Sequence, residues 1–445
     1  MHIVIVGNGI AGTTAARHIR KLSNHRVTLI SSETPEFFAR TALMYVYMGQ
    51  MTPRDIIPYE PWFWPKNHID LLSAHVTALD VDRHVISLAD GRQLTYDRLI
   101  IASGSQSRTL QVPGAALKGV QGLYAWQDLQ SMEDRSAGLE HAVITGGGLI
   151  GVEMAEMFRS RNISVTMLVR ESGYFGNVLP PEEAQLVTRE IERHGVTVLL
   201  DTELAEIHGS THGHVTAVST SNGLQIPCGF VGITIGVAPR TAPFDQVLDC
   251  DEGILVDDEL RTSAPHVLAA GDCVRLRQPQ PGRKATEPVW YTARIMGEVA
   301  AHNACGFHVP YTPGIWFNSA KFFDIEYQVY GDIRTTVPED QRTLYWEDAE
   351  GRKSIRIHFN IADGTVVGFN VMGIRYRQEV CEKWIAQRAP IEHVLSELEL
   401  ANFDGEFSTT YEEQVRNVYA RQYGTAIRGK ASRNPDAVLR FLAMR

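Results

Sequence analysis

The feature that most constrains this chain is a β-branched apolar run that breaks into glycines. His2-Ile3-Val4-Ile5-Val6 leads into Gly7-Asn8-Gly9-Ile10-Ala11-Gly12, and good helix formers follow from Thr13 to Leu22. The pattern reads as strand, tight turn, helix. Gly7 lets the chain turn sharply, Gly9 lets the backbone approach a diphosphate with no Cβ in the way, and Gly12 lets the helix pack close to the strand. The helix N-terminus, with the amides of Ile10 and Ala11, then faces the anion. One such turn is weak evidence, because glycines also gather in ordinary turns. A second copy changes the reading: His141-Ala142-Val143-Ile144-Thr145 runs into Gly146-Gly147-Gly148-Leu149-Ile150-Gly151, with helical sequence from Val152 to Ser160. Two turns of this kind in one chain predict two bound dinucleotides.

With 445 residues, the chain has room for two or three domains. The apolar start lacks a basic leader and commits at once to a glycine turn, so it does not read as a secretory segment. No membrane span is expected, and the expected location is the cytoplasm. A formal charge of −10 argues against nucleic acid as the main partner. The five cysteines, Cys228, Cys250, Cys273, Cys305 and Cys381, form no C-x-x-C pair and join no His/Cys cluster at ligand spacing, so no metal site is expected.

Arg26 to Ser31 supplies the second strand of a βαβ unit, and Glu33 follows its end, where a carboxylate can accept hydrogen bonds from an adenosine ribose. From here the chain resembles a known family. Pro35-Glu36-Phe37-Phe38-Ala39-Arg40-Thr41-Ala42-Leu43-Met44-Tyr45 is similar to a segment of the flavin-dependent pyridine-nucleotide oxidoreductases, particularly the rubredoxin- and ferredoxin-reductase, nitrite-reductase and NADH-oxidase branches. Thr95 to Ser105, containing Ala102-Ser103-Gly104, resembles the family's strand ending in A-T-G. Val112-Pro113-Gly114 and Thr234-Ile235-Gly236-Val237-Ala238-Pro239-Arg240 resemble the two crossings between domains. Val267 to Cys273, with Gly271-Asp272, resembles the second FAD motif.

The resemblance implies a fold of two doubly wound α/β dinucleotide-binding domains and a C-terminal α+β domain. FAD would be held by residues 1–112 and 242–305, NAD(P) by residues 113–241, and residues 306–445 would form an interface domain. It also implies that Arg40 approaches the FAD diphosphate and that Asp272 takes a ribityl hydroxyl. Relatives with a redox-active cysteine carry it about where Ala42 stands, and a lysine that some ferredoxin reductases place near the flavin would fall about at Tyr45.

The reaction implied is hydride transfer from a reduced nicotinamide to FAD, followed by delivery of electrons to a small molecule or a small electron-carrier protein. Glu153, two residues past the second glycine turn, holds the position where the family's glutamate approaches nicotinamide and flavin; as a first-turn glutamate it also complements the helix dipole. Glu287 and Trp290 are candidates for the flavin edge. Val165 to Arg170 places Val169 where NADH-preferring relatives carry a carboxylate, and Arg170 directly after it would attract a 2′-phosphate, so NADPH is expected over NADH.

Two other functions compete: a cysteine-dependent disulfide or persulfide reductase, disfavoured by Ala42, and a nucleotide-controlled interaction protein resembling apoptosis-inducing factor. The arginines between Arg416 and Arg445 suit an acidic carrier. In the last domain, Ile315 to Tyr327 and Arg352 to Ile361 have strand-like content, Asp363-Gly364 signals a hairpin before Val366 to Val371, and Tyr376 to Arg388 and Pro390 to Leu400 read as helices. The aromatic content of Ile315 to Tyr327 predicts that part of the stretch forms its domain's own core and that the remainder is buried against the FAD domain or a homodimer partner.

Overall fold

Ile3, Val4, Ile5 and Val6 are apolar without alternation because both faces of their strand are covered. In the computed structural model, which describes residues 1–403, 409–430 and 435–443, this strand is central in a five-stranded parallel sheet. The strand order is Val267–Ala269, Arg98–Ile101, His2–Val6, Arg26–Ser31, Ile69–Ser73. Ile5 aligns with Leu29 on one side and Ile100 on the other.

The chain divides into two units. The first comprises Met1–Glu140, Ser210–Val215 and Gly229–Pro313. Besides the parallel sheet it holds an antiparallel meander, Val76–Asp80, Val85–Leu88 and Gln93–Thr95. Its core gathers the sheet's apolar residues with Ala15, Ala16 and Ile19 of the helix Ile10–Leu22 and Ala293, Met296 and Ala300 of the helix Trp290–Ala304. These two helices pack against each other at a glycine: a Cβ on Gly297 would lie 2.3 Å from the Ala11 carbonyl oxygen.

The second unit comprises His141–Gly209, Thr216–Cys228 and Gly314–Arg445. Here His141–Thr145 lies parallel to Ser164–Leu168, which in turn lies parallel to Val196–Leu199. The helices Leu149–Ser160 and Pro181–Arg193 accompany them. The same unit contains a five-stranded antiparallel sheet in the order Phe317–Phe322, Ile325–Gly331, Val366–Met372, Ser354–Asn360, Gln341–Glu347. The hairpin turn at Asp363-Gly364 forms as predicted, with Gly364 at φ +70° and the Asp363 carboxylate accepting from the Thr365 backbone N–H.

The helix predicted at Tyr376 to Arg388 forms over Gln378–Ala386, and the next shortens to Ile391–Ser396 before a 3-10 turn at Leu398–Ala401. The fold is of the predicted class, parallel α/β dinucleotide-binding units with a C-terminal α+β portion. Within the aromatic stretch, Phe322, Phe323 and Tyr327 are buried inside this unit. Phe322 meets the rings of Tyr174 and Phe175, and Phe323 stacks on His194 at 4.4 Å.

Candidate functional site

In the first unit the glycine turn has the geometry its residues require. Gly7 sits at φ +106°, a left-handed conformation that suits glycine, and a Cβ there would stand 2.0 Å from the Ala102 carbonyl oxygen. A Cβ on Gly12 would strike the Gly7 carbonyl oxygen at 1.9 Å, whereas one on Gly9 would meet nothing within 4 Å. Gly9 caps the helix Ile10–Leu22, which has no capping side chain and no acid in its first turn. The exposed amide end is therefore left to an external anion, and the open space over Gly9 admits a diphosphate.

Around this turn lies a polar cluster. Arg40 donates to Glu33 through two nitrogens, at 2.9 and 2.6 Å, and also to the Tyr124 carbonyl oxygen. Glu33 further accepts the Trp126 backbone N–H at 2.8 Å. The sequence assigned Glu33 to the ribose and Arg40 to the diphosphate; the structure ties them to each other, so each also orients its partner. Sequence reasoning missed Tyr124. Its ring lies 4.4 Å from the Arg40 guanidinium, while its hydroxyl donates to Asp272 at 3.3 Å and accepts the Ser105 N–H at 3.0 Å. Burial and then the Asp272 charge push the Tyr124 phenol up to about 12, so it remains a donor at neutral pH. Burial likewise raises the Asp272 carboxyl, against the pull of Tyr124 and Arg40.

Gly271, at φ +83°, comes close enough to Ala11 that a Cβ would sit 2.9 Å from its side chain. The motif predicted from Val267 to Cys273 thus meets the first glycine turn. Ala102, Ser103 and Gly104 follow the strand Arg98–Ile101, and the Ser103 hydroxyl donates to the Arg240 carbonyl oxygen at 2.6 Å, which fixes the chain just after Gly236. These residues fit FAD as an extended ligand with a diphosphate at one end of the helix.

Glu287 is buried and held in a two-point ion pair with Arg283 at 2.7 and 2.6 Å. Its carboxylate is committed to that pair, which points to a structural role. Trp290 begins the helix Trp290–Ala304, is 37 % exposed and meets Tyr291 edge-on. Cys273, beside Asp272, is buried with its thiol directed to the carbonyl oxygens of Ile101 and Ala270, and burial raises its pKa. It is not placed to act as a thiolate.

The second unit repeats the turn. Gly146 lies at φ +118°, and Gly148 caps the helix Leu149–Ser160, again without a capping side chain or an acid in the first turn. Leu149, Ile150 and Gly151 provide the open helix end. The Tyr174 hydroxyl donates to the Gly148 carbonyl oxygen at 2.7 Å and supports the turn from outside.

The residues past the neighbouring strand reverse the expectation for the ribose. Val169 is buried, and its side chain fills the space beside Gly147. The Arg170 side chain is 72 % exposed and paired with Glu171 at 3.1 Å. Glu171, which sequence reading passed over, brings a carboxylate oxygen to 3.6 Å from where a Gly147 Cβ would stand. The signal was available, for Glu171 lies 20 residues after Gly151, the usual interval to a ribose-binding acid.

Glu153 is not the first-turn glutamate expected from the sequence: the helix begins at Leu149, earlier than Val152, and Glu153 lies beyond its first turn. Burial, and then the charge of Glu156, push its carboxyl up to about 7. Glu156 itself is neutralised by Lys321 at 2.6 Å. Near neutral pH, Glu153 is therefore shared between protonated and ionised forms, in the range where a carboxyl can give or take a proton.

With this geometry in place, the comparisons define the class. Residues 1–297 match the family model described as pyridine nucleotide-disulphide oxidoreductase. The chain belongs to that family. It is 30 % identical to the rubredoxin-NAD(+) reductase of Pseudomonas putida over 70 % of this chain and 81 % of that one. It is also 30 % identical to the ferredoxin–NAD(+) reductase component of the biphenyl dioxygenase system of Paraburkholderia xenovorans, over 69 % of this chain and 76 % of that one. Among solved structures, the ferredoxin reductase of the CYP199A2 system from Rhodopseudomonas palustris shares the fold at a TM-score of 0.77 and 24 % identity, covering 84 % of this chain and 91 % of that one.

Proposed function

We propose that the protein is an FAD-containing reductase that oxidises NADH and passes electrons one step further to a small electron-carrier protein. The observation that carries this reading is the pair of glycine turns, each formed with a left-handed first glycine and an uncapped helix end, in a chain with Ala42 where a redox thiol would stand. The described cysteines form no disulfide with one another, and three of the five are buried. That disfavours the disulfide or persulfide alternative and suits a reducing compartment such as the cytoplasm. Among the described residues, no helix is long and apolar enough to cross a membrane.

FAD supplies the hydride-accepting chemistry when bound. The chain's own part is to hold it. The turn at Gly7–Gly12 takes the diphosphate, Asp272 a ribityl hydroxyl, and the Glu33–Arg40–Tyr124 cluster fixes the surrounding loops. We assign FAD to residues 1–112 and 242–305, the pyridine nucleotide to 113–241 and an interface role to 306–445. Glu153, with its carboxyl pushed up to about 7, would set the charge beside the nicotinamide if it takes the role of the family's glutamate. The NADPH preference expected from Arg170 gives way to NADH: a carboxylate near the ribose hydroxyls accepts hydrogen bonds from them and repels a 2′-phosphate. The names of the relatives, NAD(+) reductases, agree.

The electron-carrier acceptor follows from the rubredoxin and ferredoxin relatives. Arg416, at the start of the arginine-rich tail, is paired with Glu399 at 2.8 Å; Arg433 and Arg445 lie outside the described residues. Stopped-flow reoxidation of the NADH-reduced protein by rubredoxin, ferredoxins, oxygen and disulfides tests the assignment. Reoxidation by an iron–sulfur or rubredoxin carrier at least tenfold faster than by oxygen or disulfide is expected. Fastest turnover with a disulfide would favour the thiol-dependent alternative, and slow reoxidation by every acceptor would favour the nucleotide-controlled interaction protein.

A further inference from the structure

His18 on the helix Ile10–Leu22 and Glu298 and His302 on the helix Trp290–Ala304 bring their ligand atoms within 4.8 Å of one another. Sequence spacing hides this group, because His18 stands 280 residues from Glu298. The helix pair reunites them: Glu298 and His302 are one turn apart on a single face, and the His18 Nδ1 lies 3.7 Å from the Glu298 carboxylate. The two imidazoles approach at 6.1 Å between centroids.

The His302 ring is already oriented. Its Nδ1 lies 2.9 Å from the Glu298 backbone carbonyl oxygen, which can only accept, so Nδ1 carries the proton and the neutral ring offers its lone pair at Nε2. A histidine fixed through one nitrogen by a carbonyl is the arrangement that supports metal ligation through the other. His18 is partly buried, with 18 % of its side chain exposed, and its Nδ1 faces the Glu298 carboxylate. The second carboxylate–histidine group, Glu190, His194 and Asp324, differs. Arg193 approaches Glu190 and Arg352 approaches both Glu190 and Asp324, so cations already occupy that group.

We propose that His18, Glu298 and His302 form a binding site for a divalent transition cation, with zinc the best match to two imidazoles and one carboxylate, clamping the first helix to the helix Trp290–Ala304. Zinc bonds of about 2.0–2.2 Å set tetrahedral ligand atoms about 3.4 Å apart, so the three side chains would close in from their present spread of up to 4.8 Å, and water completes the tetrahedron. The clamp has a consequence for the cofactor. Glu298 directly follows Gly297, which packs so close to the Ala11 backbone at the diphosphate turn that a Cβ there would lie 2.3 Å from the Ala11 carbonyl oxygen. Cation binding therefore stiffens the helix contact beneath that turn, and FAD release slows.

The test uses the FAD-loaded full chain and zinc chloride. Equilibrium dialysis at micromolar free zinc is expected to leave one more zinc per chain on the wild type than on His302→Ala or Glu298→Gln. Zinc at ten times its dissociation constant should shift the folding constant about elevenfold, raise the unfolding midpoint by about 1–2 °C, and slow flavin release in the wild type alone. Both surface variants should fold and retain flavin without zinc. Equal zinc retention by wild type and variants, or retention only at millimolar zinc, would overturn the site. Zinc bound without any change in the midpoint or in flavin release would overturn the clamp.

Discussion

The proposed use of NADH rests on one carboxylate, Glu171. Its oxygen lies over Gly147 while Arg170 turns outward beside it, so Glu171→Ala should raise the Michaelis constant for NADH about tenfold, the loss of one or two hydrogen bonds to a charged acceptor. NADPH should be used more readily by the variant than by the wild type. Arg170→Ala should change little. Steady-state kinetics with both cofactors decides this, and a selective loss of NADPH use in Arg170→Ala would restore the opposite assignment.

Glu153 gives a pH-dependent expectation at the same scale. Its folded pKa, pushed to about 7 by burial, exceeds the ordinary 4.5, so the folded state holds the proton more tightly than the unfolded chain. The stability it contributes is full below pH 4.5 and is lost as pH rises toward 7. Above 7 the ionised group costs up to about 3 kcal/mol. Glu153→Gln should therefore unfold later than wild type in denaturant at pH 8 and at the same midpoint at pH 4.5. It should also flatten the pH profile of flavin reduction near 7. Equal gains at both pH values would show that ionisation is not the cause.

At the scale of elements, cofactor retention depends on loops tied across the first unit by Tyr124. Asp272→Ala should weaken FAD binding roughly 10- to 150-fold, the equivalent of about 1.5–3 kcal/mol. Tyr124→Phe, which keeps the ring over Arg40 and removes the hydroxyl shared by Asp272 and Ser105, should cost roughly five- to tenfold. Flavin release measured by fluorescence checks both, and unchanged release in each variant would detach this cluster from the cofactor. The contrast between what was legible and what was not follows from range. The glycine turns were legible because the left-handed φ at Gly7 and Gly146 and the approach of Gly12 to the Gly7 carbonyl oxygen arise within a few neighbouring residues, although Ala102 also closes on Gly7 from 95 positions away. The strands Ser354–Asn360 and Val366–Met372 were legible for a similar reason, through β-branched content and the turn between them. Tyr124 was hidden because its partners Arg40 and Asp272 lie 84 and 148 positions away. Glu171 was readable from its interval to Gly151 but was passed over, because it stands three residues beyond the end of the strand Ser164–Leu168.

The packing of the second unit shows the same long-range dependence. Arg356 on an antiparallel strand and Glu183 on the helix Pro181–Arg193 form a buried pair at 2.6 Å, with side chains 2 % and 0 % exposed. Burial outweighs the arginine and raises the Glu183 pKa, so the pair depends on both members. Arg356→Met alone should destabilise by about 3–5 kcal/mol, and adding Glu183→Leu should recover much of that loss. Chemical denaturation of the two variants measures this, and additive losses would show that the charges act independently.

For the whole molecule, the expected homodimer rested on aromatic residues that seemed too numerous to leave in water. The structure removes much of that ground: Phe322, Phe323 and Tyr327 are covered within their own unit by Tyr174, Phe175, His194 and the sheet. The large apolar side chains that remain exposed among the described residues include Trp62, Phe307, Phe403 and Leu439, which sit on separate segments. Scattered apolar residues are normal on a monomer, whereas a stable two-fold interface needs a continuous patch, commonly about 800 Å² on each partner. Sedimentation velocity at low micromolar concentration decides between a monomer near 49.6 kDa plus one flavin and a two-fold dimer. A reductase without a redox thiol should also take up two electrons per FAD in an anaerobic titration, with no thiolate-to-flavin charge-transfer band. Sedimentation as a dimer would require an interface built from residues other than the aromatic stretch, and Phe323→Ser would then leave that dimer intact while loosening the contact with His194.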